Sequence, residues 1–401
     1  MMIMKIWIVV CLVVARGWVK EARAQADVTV NTSDNVEPFS LLCRIYKVAK
    51  NPPIKPVDTK DYQRIVEEID ALSALVSGYE RVNPKTETEK LDRQKLTEIA
   101  GDAQKIWDEV KKVNLNGEAE NAKDAFNKVI FGEHGVSETD LRHGAFKGVG
   151  ENRPTACGGT NLEKNEGSSG KNLIVDFFCL CSNRNMVSEG VDKVCGVSVG
   201  AGKDSGWGPK LYSTATMWVE IKNGCEKFAE RSSTSTQVGH SLYSEFLEKV
   251  AEGGNVKVKG SGTAPKTGML GTAVSDSKNA NFNCNGQSST NRFSGSGICV
   301  FYGDNKREDN IEWLKQFKTG LDIIDKLNNK TASWKNTLHT LKSRAKAIYE
   351  RVMESSQLEK EDTEEPTQAQ RLLSVENATT NNTTRSHSDH GRLILPWALL
   401  I

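Results

Sequence analysis

The chain has no apolar run long enough to cross a bilayer. Its two most apolar stretches, Ile6 to Ala15 and Leu393 to Ile401, fall short of the roughly 20 residues that a spanning helix needs. It also has no excess of charge: 53 basic residues stand against 52 acidic ones, so nucleic acid and anionic membrane surfaces are excluded as electrostatic partners. Histidine is scarce, with six in all. The zinc-protease, nucleophile-elbow and phosphate-loop motifs are all missing, which speaks against an enzyme. No small-molecule substrate or cofactor is expected.

The two apolar ends carry the first positive information. Lys5 precedes the N-terminal run, and Ala22-Arg23-Ala24 offers the small residues at which an export signal is cut, so residues 1–24 read as a signal peptide. At the other end the nine apolar residues Leu393 to Ile401 follow the polar stretch Asn377 to Arg392. That order of small residues, spacer and short apolar tail is the pattern of a glycosylphosphatidylinositol (GPI) attachment signal, here about residues 386–401. Asn382, Ser386 and Ser388 have suitable size and spacing for attachment. The protein is expected on the outer leaflet of the plasma membrane, held by lipid.

Cysteine usage agrees with export. Nine cysteines occur, and loss of Cys11 with the signal leaves eight: Cys43, Cys157, Cys179, Cys181, Cys195, Cys225, Cys284 and Cys299. An even number in an exported chain reads as up to four disulfides, with connectivity open. A zinc site on Cys179-Leu180-Cys181 is disfavoured, because paired zinc ligands are usually separated by two to four residues rather than one. Asn31, Asn329, Asn377, Asn381 and Asn382 each begin an N-glycosylation sequon.

Periodicity divides the chain. Phe39 to Lys50 reads as a short amphipathic helix stopped by Pro52-Pro53, since a proline pair ends a helix. Tyr62, Ile65, Ile69, Leu72, Val76 and Tyr79 recur at spacings of three and four, and so do Leu96, Ile99, Ala103, Ile106, Val110 and Val113. With Asn83-Pro84 between them these predict a helical hairpin. The pattern returns in Leu314, Phe317, Leu321 and Ile324, then in Trp334, Leu338, Leu341, Ala345, Ile348 and Val352. Trp107, Trp313 and Trp334 lie on or beside these seams, where core packing is the default role. Residues 130–304 differ. They hold seven of the eight mature cysteines and most of the glycines, and their apolar pieces, Leu173 to Leu180, Ala215 to Ile221 and Ile298 to Tyr302, are short.

The fold expected is mainly α: an elongated antiparallel coiled-coil bundle, with helices at about 39–113 and 305–355, carrying an inserted, disulfide-rich and loop-rich head lobe at about 130–304. One helix, Ser241 to Val250, interrupts the lobe. These parts make one domain over 25–356. The polar stretch 357–385, poor in aromatics, reads as a disordered strut.

The exported N-terminus, the helix opening at Phe39-Ser40-Leu41-Leu42-Cys43, the paired helices at 60–113, the cysteine- and glycine-rich lobe, the returning helices at 311–353 and the anchor signal together resemble the variant surface glycoproteins of African trypanosomes. The absence of any cysteine after Cys299 makes it similar to the shorter kind, which lacks a cysteine-rich C-terminal domain. The resemblance implies a homodimeric coat protein that shields the parasite membrane, varies antigenically and faces host antibodies. A receptor of the same architecture for a host serum protein, transferrin or a haemoglobin complex, is the alternative, and an extracellular enzyme a more distant one.

Overall fold

The computed structural model describes residues 28–78, 86–134, 138–149, 152–160, 167–185, 190–202, 204–208, 211–228, 235–277, 281–289, 295–304 and 308–361. The signal peptide, Tyr79, the Asn83-Pro84 break, Asn377, Asn381, Asn382, Ser386 and Ser388 lie outside these residues. The described residues are mostly helical, with nine helices and five strands. They divide into two compact units: residues up to Thr59 with Asp108–Asn336, and Lys60–Trp107 with the residues from Thr337.

In the first unit, α1 (Val36–Lys50) begins one turn before the apolar pattern does and ends at Asn51, whose N–H closes onto the Lys47 carbonyl at 3.1 Å. Pro52 then forbids continuation. α1 packs on α4 (Leu115–Phe131), α6 (Leu173–Cys181), α7 (Thr214–Phe228) and α8 (Thr236–Glu252). Its buried face includes Phe39, Leu42, Cys43 and Tyr46. Phe39 meets Phe177 edge-on at 5.7 Å, and Tyr46 meets Trp218 at 5.3 Å.

The described part of 130–304 contains long turn segments, such as 138–149 and 190–202, together with regular elements that its composition does not announce. It holds the short α5 (Arg153–Cys157), then α6, α7 and α8, and a five-stranded mixed sheet in the order β2-β1-β3-β5-β4. β1 (Gly254–Val258) and β2 (Gly262–Lys266) form an antiparallel hairpin, and β3 (Met269–Ser275) lies parallel to β1. β5 (Gly295–Phe301) runs antiparallel to β3, and the two-residue β4 (Phe282–Asn283) pairs with β5 in parallel. All seven residues of β3 and of β5 are buried, as expected of central strands covered on both faces. Exposed β2 carries Pro265, a residue confined to edges because it cannot donate to a ladder.

Many of the glycines in 130–304 take positive φ, as turns require, but two glycines of the first unit serve close packing instead. A Cβ on Gly239 of α8 would come within 2.4 Å of the Leu321 side chain, and one on Gly320 within 2.7 Å of the Phe126 ring. Both glycines sit inside helices, where they let a neighbour approach closely at a cost of about 1 kcal/mol in helix propensity. α4 was not legible as a helix; Asn114 caps it by accepting from Gly117 N–H at 2.9 Å.

The second unit is built from parts of α2 (Thr59–Gly78), α3 (Glu87–Lys112) and α9 (Glu312–Glu361). Each presents a buried seam: Tyr62, Ile65, Ile69 and Val76; Leu96, Ile99 and Ala103; Leu338, Leu341, Ala345, Ile348 and Val352. Leu72 and Ile106 are only half-buried, although the next seam residues, Val76 and Val110, are buried again. Polar ties flank the seams. Lys342 pairs with Glu68, Asp70 accepts from Gln104, and Arg351 grips buried Asp92 at 3.0 and 3.2 Å. The two C-terminal seams belong to one unbroken helix of 50 residues, which runs on to Glu361, into the stretch read as the start of the strut.

Candidate functional site

The chemistry of the described residues is concentrated inside the first unit, around α6. All nine residues of this helix, Leu-Ile-Val-Asp-Phe-Phe-Cys-Leu-Cys, are buried. A helix apolar on every side is a core helix, and its unpaired end groups must then be satisfied by protein.

At its N-terminus Asn172 Oδ1 accepts from Val175 N–H at 2.9 Å. At its C-terminus the Arg153 guanidinium donates to the carbonyls of Cys179 and Phe178, at 3.1 and 3.4 Å, and to that of Ser182 at 2.8 Å. Asn35 Nδ2 donates to Leu180 O at 2.9 Å and to Ile298 O at 2.8 Å, which ties the start of α1 to α6 and to β5. Arg153 also lies over the Trp207 ring, 5.3 Å from its centroid. Burial, and secondarily the nearby Arg184 charge, pull its pKa down to about 9. The negative end of the helix dipole favours a cation at this place.

The opposite charge sits one turn in from the other end. Asp176 Oδ2 accepts from Trp313 Nε1–H at 2.7 Å and from Tyr302 O–H at 2.9 Å, and Oδ1 accepts from Gly170 N–H at 2.9 Å. The carboxyl thus joins α6, the residue after β5 and the first turn of α9. Burial pushes its pKa up to about 7, against the three donors, which pull the other way. Burial and the facing carboxylate push the Tyr302 hydroxyl well above its ordinary range. Asp176 is fully buried and Arg153 nearly so, so this polar core braces the fold. No sequence motif marks either residue.

The structure joins the eight cysteines as Cys43–Cys225, Cys157–Cys179, Cys181–Cys195 and Cys284–Cys299. Cys179 and Cys181 are two residues apart on a helix, hence roughly 200° apart around its axis. They bond to different partners on opposite flanks, and the helical setting, invisible in the bare Cys-x-Cys spacing, explains why they could not converge on one ion. Among the described residues no group of three or more His, Cys, Asp or Glu could hold a metal ion. Cys43–Cys225 spans 182 residues, against 15 for Cys284–Cys299. On loop entropy the wider link contributes more, about 5 against about 3 kcal/mol in the simple chain model.

Two candidate glycan acceptors lie among the described residues. Asn31 is exposed just ahead of α1, its N–H donating to Asp34 Oδ2 at 2.7 Å. Asn329 is exposed on α9, and the hydroxyl of its sequon's Thr331 is turned back onto the helix, donating to Leu327 O at 2.9 Å and Asn328 O at 3.1 Å. Among the described residues the histidines join no metal-binding group: His143 pairs with Asp140 at 2.9 Å, and His240 with Asp325 at 2.7 Å. Trp313 is core, as its seam position implies, and its indole N–H also serves Asp176.

A family model described as a trypanosomal VSG domain matches residues 80–343 of the 401-residue chain. No curated protein matches the chain.

Proposed function

This chain belongs to the trypanosomal VSG domain family, and on that premise we propose that it is a GPI-anchored coat glycoprotein that shields the parasite membrane and varies antigenically to evade host immunity. The observation that carries the reading is the family match over 80–343. Membership makes it a surface coat protein. Its finer features are proposals: a homodimer, an elongated antiparallel coiled-coil bundle with a head lobe, glycans at Asn31, Asn329, Asn377, Asn381 or Asn382, and lipid attached at Asn382, Ser386 or Ser388.

Three observations support the reading. The seams on α2, α3 and α9 are of the kind that helices bury against one another in long bundles. The four disulfides are buried and cross-link the first unit, so exposed loops between them can change sequence while the constraint on the unfolded chain stays in force. No helix among the described residues is long and apolar enough to cross a membrane.

The anchor is tested on trypanosomes expressing the protein. A phosphatidylinositol-specific phospholipase is expected to free it into the medium along with a known anchored control. Mass spectrometry of the mature C-terminus should end at Asn382, Ser386 or Ser388. A mature chain that still contains Trp397 would overturn the lipid anchor.

A further inference from the structure

Two of the sequons lie in the first unit, and the fold treats their reacting groups in opposite ways. N-linked transfer uses the Asn amide nitrogen together with the hydroxyl two positions on, and it suits a surface loop. In Asn31-Thr32-Ser33 both groups are open: the three residues are exposed in the turn ahead of α1. Asn31 accepts at Oδ1 from Thr29 Oγ1–H at 3.2 Å, and among the described residues neither its Nδ2 nor the Ser33 hydroxyl makes a hydrogen bond. In Asn329-Lys330-Thr331 the acceptor is wound into α9 and the hydroxyl is spent, donating to Leu327 O at 2.9 Å and to Asn328 O at 3.1 Å.

The two sequons also close on different schedules. The Asn31 turn is held from far along the chain. Ser33, at φ 69°, donates its N–H to Lys193 O at 3.0 Å, Asn35 N–H donates to Val194 O at 2.9 Å, and Val30 N–H to Ser288 O at 2.8 Å. Thr32 Oγ1–H reaches Asp192 O at 3.3 Å, across 160 residues. At a synthesis rate of roughly 5–20 residues per second, those partners arrive roughly 8–30 s after the sequon. Thr331 has no such delay. Leu327 and Asn328 precede it, and a helical turn forms in roughly a microsecond or less.

We infer that Asn31 is the glycan-bearing acceptor of the first unit and that Asn329 stays largely bare. The donor is an oligosaccharide carried on a polyisoprenyl pyrophosphate. Asn31 Nδ2 forms the bond to C1 of the first sugar, the bond from C1 to the pyrophosphate oxygen breaks, the pyrophosphate leaves, and the amide gives up one proton. The sugar then stands on a turn pinned to 192–194 and to Ser288, and it covers those segments. Transfer requires export through the secretory pathway, as the coat reading does.

The full-length protein is tested in trypanosomes. Total cell protein is digested, and its N-glycans are removed by peptide N-glycosidase in heavy-oxygen water, which converts each occupied Asn to labelled Asp for mass spectrometry. Asn31 should be occupied on most molecules and Asn329 at least about tenfold less often, as the difference in closing times implies. Asn31→Gln should remove nearly all N-glycan mass from residues 25–361, and Asn329→Gln almost none. Asn328→Pro stops the helix just ahead of the second sequon and should raise Asn329 occupancy severalfold. Reading total protein keeps this variant informative even when it fails to fold. The mature N-terminus is read in the same digest. Retention of residues 1–24 with both acceptors bare would overturn export and this assignment together. With the signal removed, a bare Asn31, equal occupancy at Asn31 and Asn329, or no rise in Asn328→Pro would overturn the assignment alone.

Discussion

Replacing Asp176 by Asn is expected to destabilise the protein by about 2–4 kcal/mol, although the side chain keeps its size. Every group facing this carboxyl can donate: Gly170 N–H on one oxygen, Trp313 Nε1–H and Tyr302 O–H on the other. An amide has one acceptor atom. In either orientation its NH₂ therefore confronts an N–H that has no other place to go, in a site without water access. Tyr302→Phe removes one donor and leaves two, so its cost should be about 1–2 kcal/mol.

The same site carries a pH signature. The folded-state pKa of Asp176 is raised to about 7 from the ordinary carboxylate value, so its contribution to stability is fully present below that ordinary value and is lost as pH rises through about 7. The Asn variant has no such titration. Denaturant midpoints of the two proteins should lie farther apart at pH 5 than at pH 8. A gap that stays constant across that range would mean that the three donors outweigh burial and keep the carboxyl ionised throughout.

Replacing Leu341 by Asp should be still more damaging, about 3–5 kcal/mol, because a carboxylate without a partner is placed in a buried seam flanked by Leu338 and Ala345. Export should fail, or the protein should melt early. Ile106→Asp should cost less, since Ile106 is only half-buried. Lys105, exposed and paired with Asp102 one turn away, supplies the neutral control. Lys342 does not, because it reaches across to Glu68. If Leu341→Asp and Lys105→Ala have the same melting temperature, the seam on α9 is not a packed surface and the helical reading of the second unit falls.

What could be read in the sequence was what periodicity reports. The seams from Tyr62 to Val76, Leu96 to Ala103 and Leu338 to Val352 recur every three or four residues, and these positions are buried in helices. The run LIVDFFCL was opaque for the opposite reason: a helix buried on all sides has no polar face, so it looks like a buried strand. Its environment also hid the role of Asp176, which in sequence is one carboxylate among many, and of Arg153, whose target carbonyls belong to no side chain. Glycine count suggested loops over 130–304, where Gly239 instead lets the Leu321 side chain approach a helix. Disulfide pairing was closed to spacing alone, because it depends on which helix faces Cys179 and Cys181 occupy.

The most direct test of a coat function is a count of molecules at the cell surface. Quantitative mass spectrometry of protein released by phosphatidylinositol-specific phospholipase from trypanosomes expressing this chain should find it dominating the released fraction, in numbers sufficient for a continuous layer over the membrane. A minor share of that fraction, beneath a different abundant protein, would contradict a shield and favour a receptor of the same architecture.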